Sequence, residues 1–219
     1  MAVTPMRLVG LGDSITAGAH VRNEDTFLYK LGQKYGWSVA NAGVNGATSS
    51  RALERLSLIV PQKPDICLIA FGMNDHVAVR WNEPRVPLQQ FQDNLTTICR
   101  TVKHTGGLPV LCTIHPIIEG DASGYYYSRH PEEWYHDPLG AQRWIDRYSM
   151  GVRDVAEASG APLADIARYW SDRLRDGVSL ADLLLTEHNC GRKDGVHLTP
   201  RGHDLYAACL SELLDSYSV

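Results

Sequence analysis

Short, nearly continuous runs of apolar residues recur along the chain, and the segments between them repeat apolar and polar residues at helical spacing. Apolar runs of this length are typical of parallel strands that are buried on both faces. Their alternation with helical segments predicts a parallel sheet covered by helices on both faces. The predicted strands are Met6–Leu11, Trp37–Ala42, Asp65–Phe71, Pro109–Ile114 and, with a weaker pattern, Pro162–Ile166.

Helical periodicity is clearest after Pro87, where apolar residues recur at steps of three and four until Gly106 and Gly107 end the pattern. A second helix is predicted after Thr199, because a threonine cap followed by proline is a typical helix start. Further helices are predicted over Asp25–Tyr35, Ser49–Ile59 and Ala141–Ala158.

Two segments fit neither pattern: His115–Leu139, which is rich in Tyr, Trp, His and Pro, and Ser179–Asp194. Long irregular segments inside a compact domain usually form binding loops or lids. Length alone leaves the domain count open, because 219 residues suffice for one large domain or two small ones.

The composition is that of an ordinary soluble protein, with 44% hydrophobic and 21% charged residues and a formal net charge of -4. It excludes disorder, and the longest apolar runs are too short to span a membrane. Mild acidity without a Lys/Arg run argues against a nucleic-acid partner. Met1–Met6 carries no basic start of a secretory signal, so we expect a cytoplasmic protein with reduced cysteines.

Glycine-flanked polar turns follow three of the predicted strands. Because ligands of parallel sheets bind beyond the carboxyl ends of the strands, we expect Ser14, in the first turn, at the mouth of a crevice. Near the other end of the chain, Asp194 precedes His197 by three residues, so its carboxylate can reach Nδ1 and leave Nε2 free to accept a proton. The three turns are Gly12–Thr16, Asn41–Gly46 and Gly72–Asp75.

In this order the blocks resemble the SGNH hydrolase family, also called the GDSL lipase/esterase family. Ser14 lies in a Gly-Asp-Ser block and Gly43 stands where the family glycine is expected. Asn74 lies in a Gly-x-Asn-Asp block, and His197 closes an Asp-x-x-His block. The resemblance implies an α/β fold of three layers, α/β/α, with a flavodoxin-like, doubly wound, five-stranded parallel sheet.

The resemblance also implies hydrolysis of acyl esters through an acyl-serine intermediate on Ser14, with His197 as the base and Asp194 as its orienting partner. The oxyanion would be bound by the backbone N–H groups of Ser14 and Gly43 and by the side-chain amide of Asn74. We expect no cofactor and no metal. His115 and Glu187–Cys190 offer ligand atoms but lack the spacing of known metal sites.

The nucleophile lies near the start of the chain and its base near the end. We therefore expect one domain over residues 1–219, with insertions at about 115–139 and 179–194. The candidate substrate-binding residues are His115, Tyr126 and Trp134, although for any single aromatic side chain of the insertion packing is the slightly favoured explanation. The expected partner is a small ester, without nucleic acid or stable membrane insertion, and assembly into a homo-oligomer stays open.

The family includes short-chain esterases, thioesterases, lysophospholipases and carbohydrate deacetylases, and no residue decides among them. We expect short-chain acyl or acetyl esters, with the other classes as alternatives. A non-catalytic ligand-binding relative is the alternative from another class, and the complete set of blocks argues against it. A dinucleotide-binding module would need glycine where Ile15 stands, and an α/β-hydrolase would need glycine in place of Thr16.

Overall fold

Five parallel strands form the centre of a computed structural model that describes residues 5–217. The described residues contain seven strands in all, which are β1 (Arg7–Gly12), β2 (Ser38–Asn41), β3 (Ile66–Ala70), β4 (Ala78–Arg80), β5 (Glu83–Pro84), β6 (Leu108–Cys112) and β7 (Leu163–Ala164). The sheet order is β2-β1-β3-β6-β7, which is the flavodoxin-like order, whereas β4 and β5 form a separate antiparallel hairpin. The predicted fold class is confirmed.

The helices follow the predicted ones with four differences. The predicted helix Ser49–Ile59 is divided at Arg55, and the segment 179–194 contains two one-turn helices. Helices over Ser14–Ala17 and Ile166–Arg175 were not predicted. The helices are α1 (Ser14–Ala17), α2 (Phe27–Tyr35), α3 (Ser49–Glu54), α4 (Leu56–Ile59), α5 (Leu88–His104), α6 (Ala141–Ser159), α7 (Ile166–Arg175), α8 (Leu180–Leu183), α9 (Glu187–Cys190) and α10 (Pro200–Leu214).

Alternate residues of each strand point to opposite faces of the sheet, so the core consists of two apolar clusters. Val9 and Leu11 of β1 pack in the cluster under α3, α5 and α6, whereas Leu8 packs in the cluster under α2, α7 and α10. The sheet is therefore the middle of three layers.

The two ends of the described chain meet on one face of the sheet. The Phe27 ring of α2 stacks on the Tyr206 ring of α10 with 4.5 Å between centroids, and Lys30 forms an ion pair with Asp204. The Phe27 N–H also donates to Nδ1 of His203 at 3.3 Å. These contacts bring the segment before α10 to the segment after β1.

The prediction for Met1–Met6 falls largely on residues 1–4, which lie outside the described residues. Among residues 5–217, no helix has both the length and the apolar character needed to cross a bilayer. Cys190 is exposed and the remaining cysteines are buried, and all five are free thiols.

Candidate active site

Ser14 lies where β1 ends and α1 begins. The side chain of Asp13 caps α1, because its Oδ1 accepts the N–H of Ile15 at 2.9 Å. This short helix ends at Gly18, which adopts a left-handed φ of 76°. The sharp turn holds the Ser14 hydroxyl at the carboxyl edge of the sheet, where the side chain is 8% exposed.

Asp194 and His197 form a compact hydrogen-bonded turn before α10. The imidazole Nδ1 lies 2.9 Å from Oδ2 of Asp194, and Oδ1 accepts the backbone N–H groups of Val196 at 2.9 Å and His197 at 2.7 Å. Partial burial disfavours ionisation of Asp194, but the hydrogen bond from the His197 ring and these backbone N–H groups outweigh it. The pKa of this carboxyl therefore lies well below its usual range, and the imidazole is held in one orientation.

The structure brings Ser14 and His197 together although they are 183 positions apart in the sequence. His197 Nε2 lies 3.0 Å from Ser14 Oγ. With Asp194 bound to the other ring nitrogen, the imidazole can take the serine proton through Nε2. This serine–histidine–aspartate chain of hydrogen bonds is the arrangement that activates a serine hydroxyl as a nucleophile.

Gly43 lies in the turn after β2 and packs directly against α1. A Cβ atom at this position would lie 2.3 Å from the backbone nitrogen of Ala17, so no larger residue fits without movement. Asn41 fixes the turn, because its amide donates to the carbonyl of Thr16 and its Oδ1 accepts the N–H of Gly43, each at 2.9 Å. The Gly43 N–H thus donates to Asn41 in this structure. An oxyanion would have to share this N–H with Asn41 or replace Asn41 as its acceptor.

Asn74 lies in the turn after β3 and faces the Ser14 segment. Its amide nitrogen donates to Oδ2 of Asp13 at 3.3 Å and to the carbonyl of Ala47 at 3.1 Å. The neighbouring Asp75 holds the turn, since it accepts the N–H and the hydroxyl of Ser49. Burial raises the pKa of Asp13 to about 7 and that of Asp75 to about 6.

The segment 115–139 braces the turn that carries Asp194 and His197. Four consecutive carbonyls of this turn accept hydrogen bonds from it. The bonds run from Tyr125 N to Lys193 O at 3.1 Å, from Arg129 Nη2 to Asp194 O at 2.7 Å, from Ile118 N to Gly195 O at 2.9 Å, and from His115 Nε2 to Val196 O at 2.9 Å. Much of this insertion therefore holds the turn that carries Asp194 and His197 in place.

The same segment reaches the Asn74 turn through a buried polar chain. The Tyr126 hydroxyl lies 2.9 Å from Nε2 of His76 and 2.8 Å from the hydroxyl of Tyr135, and Nδ1 of His76 lies 3.0 Å from the carbonyl of Gly72. Burial lowers the pKa of His76 to about 4, so the ring is neutral at pH 7, donates to Gly72 and accepts from Tyr126. One insertion thus contacts both the turn that carries Asn74 and the turn that carries Asp194 and His197.

The candidate substrate-binding residues lie mainly inside the protein. Tyr126 and His115 are each 2% exposed, and the His115 ring packs 5.2 Å from that of Trp170 behind the His197 turn. Burial lowers the pKa of His115 to about 4. Trp134 is half-buried, and its carbonyl accepts the N–H of Asn82.

His20 stands beside the catalytic pair and was not singled out from the sequence. Its exposed ring meets that of His197 edge to face, with 4.9 Å between centroids. Partial burial, and then the nearby His197, lower the pKa of His20. No spacing in the sequence links residues 20 and 197, so only the fold reveals this contact.

The sequence matches known proteins over nearly the whole of this architecture. Residues 11–205 match the profile of the GDSL-like Lipase/Acylhydrolase family. The chain belongs to this family. It is also 30% identical over 205 residues to the uncharacterized lipoprotein YqeF of Bacillus subtilis (strain 168), and this match covers 89% of the chain and 84% of the relative. The resemblance stated from the sequence is confirmed.

Solved structures of GDSL hydrolases share the fold. A lipase/acylhydrolase from Enterococcus faecalis superposes with a TM-score of 0.71 at 22% identity, covering 97% of this chain and 96% of the other. An acetyl-xylooligosaccharide esterase from Geobacillus superposes with the same TM-score and identity, covering 98% and 96%. Membership of the GDSL family supports a hydrolase of the esterase type.

Proposed function

We propose that the protein hydrolyses short-chain acyl or acetyl esters through an acyl-serine intermediate on Ser14. The observation that carries the proposal is the chain of hydrogen bonds from Ser14 through His197 to Asp194, with distances of 3.0 and 2.9 Å. Asp194 stays ionised across the working pH range, so it stabilises the imidazolium that forms when His197 accepts a proton.

The reaction begins when Ser14 Oγ attacks the ester carbonyl carbon and its proton passes to Nε2 of His197. The C–O bond to the alcohol then breaks, and Nε2 returns the proton to the leaving oxygen. Water attacks the acyl-serine by the same route in reverse and releases the carboxylic acid. Through both halves, the charge on the carbonyl oxygen is stabilised by the N–H groups of Ser14 and Gly43 and by the amide of Asn74.

The donors of Gly43 and Asn74 have partners within the protein in this structure. These partners hold the donors at the crevice edge until an oxyanion, a stronger acceptor than the amide oxygen of Asn41 or the carbonyl of Ala47, competes for them. Catalytic hydrogen bonds are often completed only when substrate is bound.

We infer the preference for small acyl groups from the burial of two side chains of the insertion. The ring of Tyr126, which would have suited the wall of an acyl groove, is buried in the polar chain that ends at Gly72. The side chain of His115 is likewise buried and forms a hydrogen bond with the carbonyl of Val196. Because the side chains of Tyr126 and His115 are buried, they offer little apolar surface that a long acyl chain could contact.

A fluorophosphonate probe tests the nucleophile. We expect stoichiometric labelling of Ser14 in the parent protein, none in Ser14→Ala, and strongly reduced labelling in His197→Ala, measured by intact-protein mass spectrometry. Ser123→Ala, which removes an exposed hydroxyl of the insertion, is the matched control and should label fully. Undiminished hydrolysis of p-nitrophenyl acetate by Ser14→Ala would reject the proposed mechanism.

The substrate class is tested with p-nitrophenyl esters of increasing chain length beside a panel of acetylated sugars. We expect kcat/KM to fall with acyl length. A wide advantage for acetylated sugars would indicate a carbohydrate deacetylase, the activity named for the Geobacillus neighbour. Rates that rise with acyl length would instead indicate a lysophospholipase or thioesterase. Binding of esters without turnover would indicate a non-catalytic relative.

We also propose the cytoplasmic location that is expected from the sequence. The Bacillus relative is called a lipoprotein, which makes a lipid-anchored protein the alternative. Fractionation of cells that express the native gene, followed by immunoblotting, decides between them, because recovery in the membrane fraction would reject the cytoplasmic assignment.

A further inference from the structure

Three ligand groups for a metal ion converge at the catalytic pair. His20, Asp194 and His197 each offer one ligand atom, and these atoms all lie within 4.8 Å of one another. His20 belongs to the exposed turn after α1 and has a left-handed φ of 71°. Its ring faces the His197 imidazole edge to face, and its nitrogens form no hydrogen bond with the other residues between 5 and 217.

Two imidazole nitrogens and one carboxylate oxygen form a donor set typical of zinc. In a tetrahedral zinc site with bonds of about 2.0–2.2 Å, the ligand atoms lie roughly 3.4 Å apart. No two of these ligand atoms are more than 4.8 Å apart, so the site needs a contraction of at most about 1.4 Å, which the exposed ring of His20 can supply by rotation. Magnesium and calcium prefer all-oxygen ligand sets, so this site discriminates against them.

We propose that His20, Asp194 and His197 bind a zinc ion that inhibits the hydrolase. The inhibitory effect rests on the proposed function, whereas zinc binding itself does not. Catalysis needs both nitrogens of His197, one bound to Asp194 and the other facing Ser14. A metal on either nitrogen removes one of these two interactions, so the bound enzyme has no base that can accept the serine proton.

Arg192 is the group that opposes the site. Its positive charge acts on His20 and disfavours a second cation nearby. The Arg192 side chain is exposed, however, so solvent and salt screen this repulsion. The ionised carboxylate of Asp194 lies within the ligand set itself and compensates part of the metal charge.

Direct binding is measured by competition with a chromogenic zinc chelator, with Ser14→Ala as the host because this substitution removes the nucleophile and leaves all three ligands. We expect one zinc ion per chain. Adding His20→Ala to this host should weaken zinc binding by at least about tenfold, since even outer-shell partners contribute 10–100-fold to metal affinity. His136→Ala, which removes another exposed histidine, is the matched control and should leave zinc affinity unchanged.

Cys190 is an exposed thiol four positions before Asp194 in the sequence, so it is a competing candidate for zinc binding. Cys190→Ser should leave zinc affinity unchanged if the proposed ligands hold the metal. Affinity that depends on Cys190 and not on His20 would overturn the assignment.

Activity gives the second measurement. Zinc should inhibit the parent enzyme, magnesium should not, and His20→Ala should raise the half-inhibitory zinc concentration about tenfold or more, with the rate of each protein expressed relative to its own rate without zinc. Equal zinc sensitivity of parent and His20→Ala would overturn the proposal. A parent that binds zinc through His20 but hydrolyses no ester would reject the proposed function and leave the metal site standing.

Discussion

Asp13 combines two tasks that conflict at neutral pH. Its carboxyl group is 2% exposed, and it both caps α1 and accepts the amide of Asn74. Burial disfavours its charge more than these bonds favour it, so its pKa is raised to about 7. The group that positions Ser14 and Asn74 is therefore partly ionised at pH 7 and costs folding free energy once it is charged.

This cost predicts how stability responds to Asp13→Asn. The native pKa of about 7 lies above the unfolded value of 3.8, so native Asp13 holds its proton where unfolded Asp13 has lost it, and its contribution to stability falls as pH rises between these values. Asparagine has no such loss. Relative to the parent, the free energy of unfolding of the variant should increase by roughly 2–3 kcal/mol between pH 5 and pH 8, as measured by urea unfolding at both values.

The control for this experiment is Asp93→Asn, which changes an exposed carboxylate on α5 and should give the same difference from the parent at both pH values. A difference between Asp13→Asn and the parent that does not change with pH would contradict the raised pKa of Asp13.

Single residues of the site were predictable where a motif carried them. Ser14, Asn74 and His197 follow from blocks placed after strands and before a helix, and the structure brings all three to one edge of the sheet. The bonds that Gly43 and Asn74 make without substrate were not predictable, because they depend on Asn41, Asp13 and Ala47. Such contacts form between turns that only the sheet order brings together.

At the scale of elements, the sequence predicted the strands better than the helices. The apolar runs around β1, β3 and β6 are continuous because both faces of each strand are buried. Of α7, by contrast, only Ile166 and Trp170 are buried, so its polar face hid the helical period. The hairpin β4–β5 is too short to show an alternating pattern.

The insertion 115–139 was predicted as a loop for substrate, and most of its contacts are structural. Arg129 makes the most direct of them, since its guanidinium donates to the carbonyls of Asp194 at 2.7 Å and Lys193 at 3.4 Å. The guanidinium is exposed, so the bonds restrain the turn without large burial. We therefore infer that Arg129 positions the turn that carries the proposed acid–base pair.

Arg129→Ala should lower kcat about three- to tenfold with little change in KM, because a bond from a charged donor contributes about 1.5 kcal/mol or more and its loss frees the turn that carries His197. Millimolar guanidinium should restore part of the lost rate, a response that general destabilisation would not give. Steady-state kinetics on p-nitrophenyl acetate measure both effects.

Arg143→Ala, an exposed position on α6, serves as the control and should match the parent with and without guanidinium. If Arg129→Ala raises KM and leaves kcat intact, Arg129 contacts substrate and does not act through the turn.

At the scale of the molecule, two cores share one sheet. Trp144 and Ile98 lie in the cluster on one face, and Trp170 and Leu210 lie in the cluster on the other. The strands between them contribute alternate residues to both clusters. Disruption of one cluster therefore exposes the same strands that support the other cluster. The active site spans the same unit, since Ser14 follows the central strand β1 and His197 precedes α10.

This arrangement predicts one cooperative unfolding transition, as the single domain expected from the sequence requires. Ile98 and Leu210 are each fully buried, so Ile98→Ala and Leu210→Ala should each lower the free energy of unfolding by about 2–5 kcal/mol. Both should shift the same transition, with far-UV circular dichroism and tryptophan fluorescence coinciding during urea unfolding. Leu58→Ala, at a side chain that is 63% exposed, should leave the midpoint nearly unchanged. Separate transitions, one moved by each core variant, would show that the two layers fold independently and that the shared strands do not couple them.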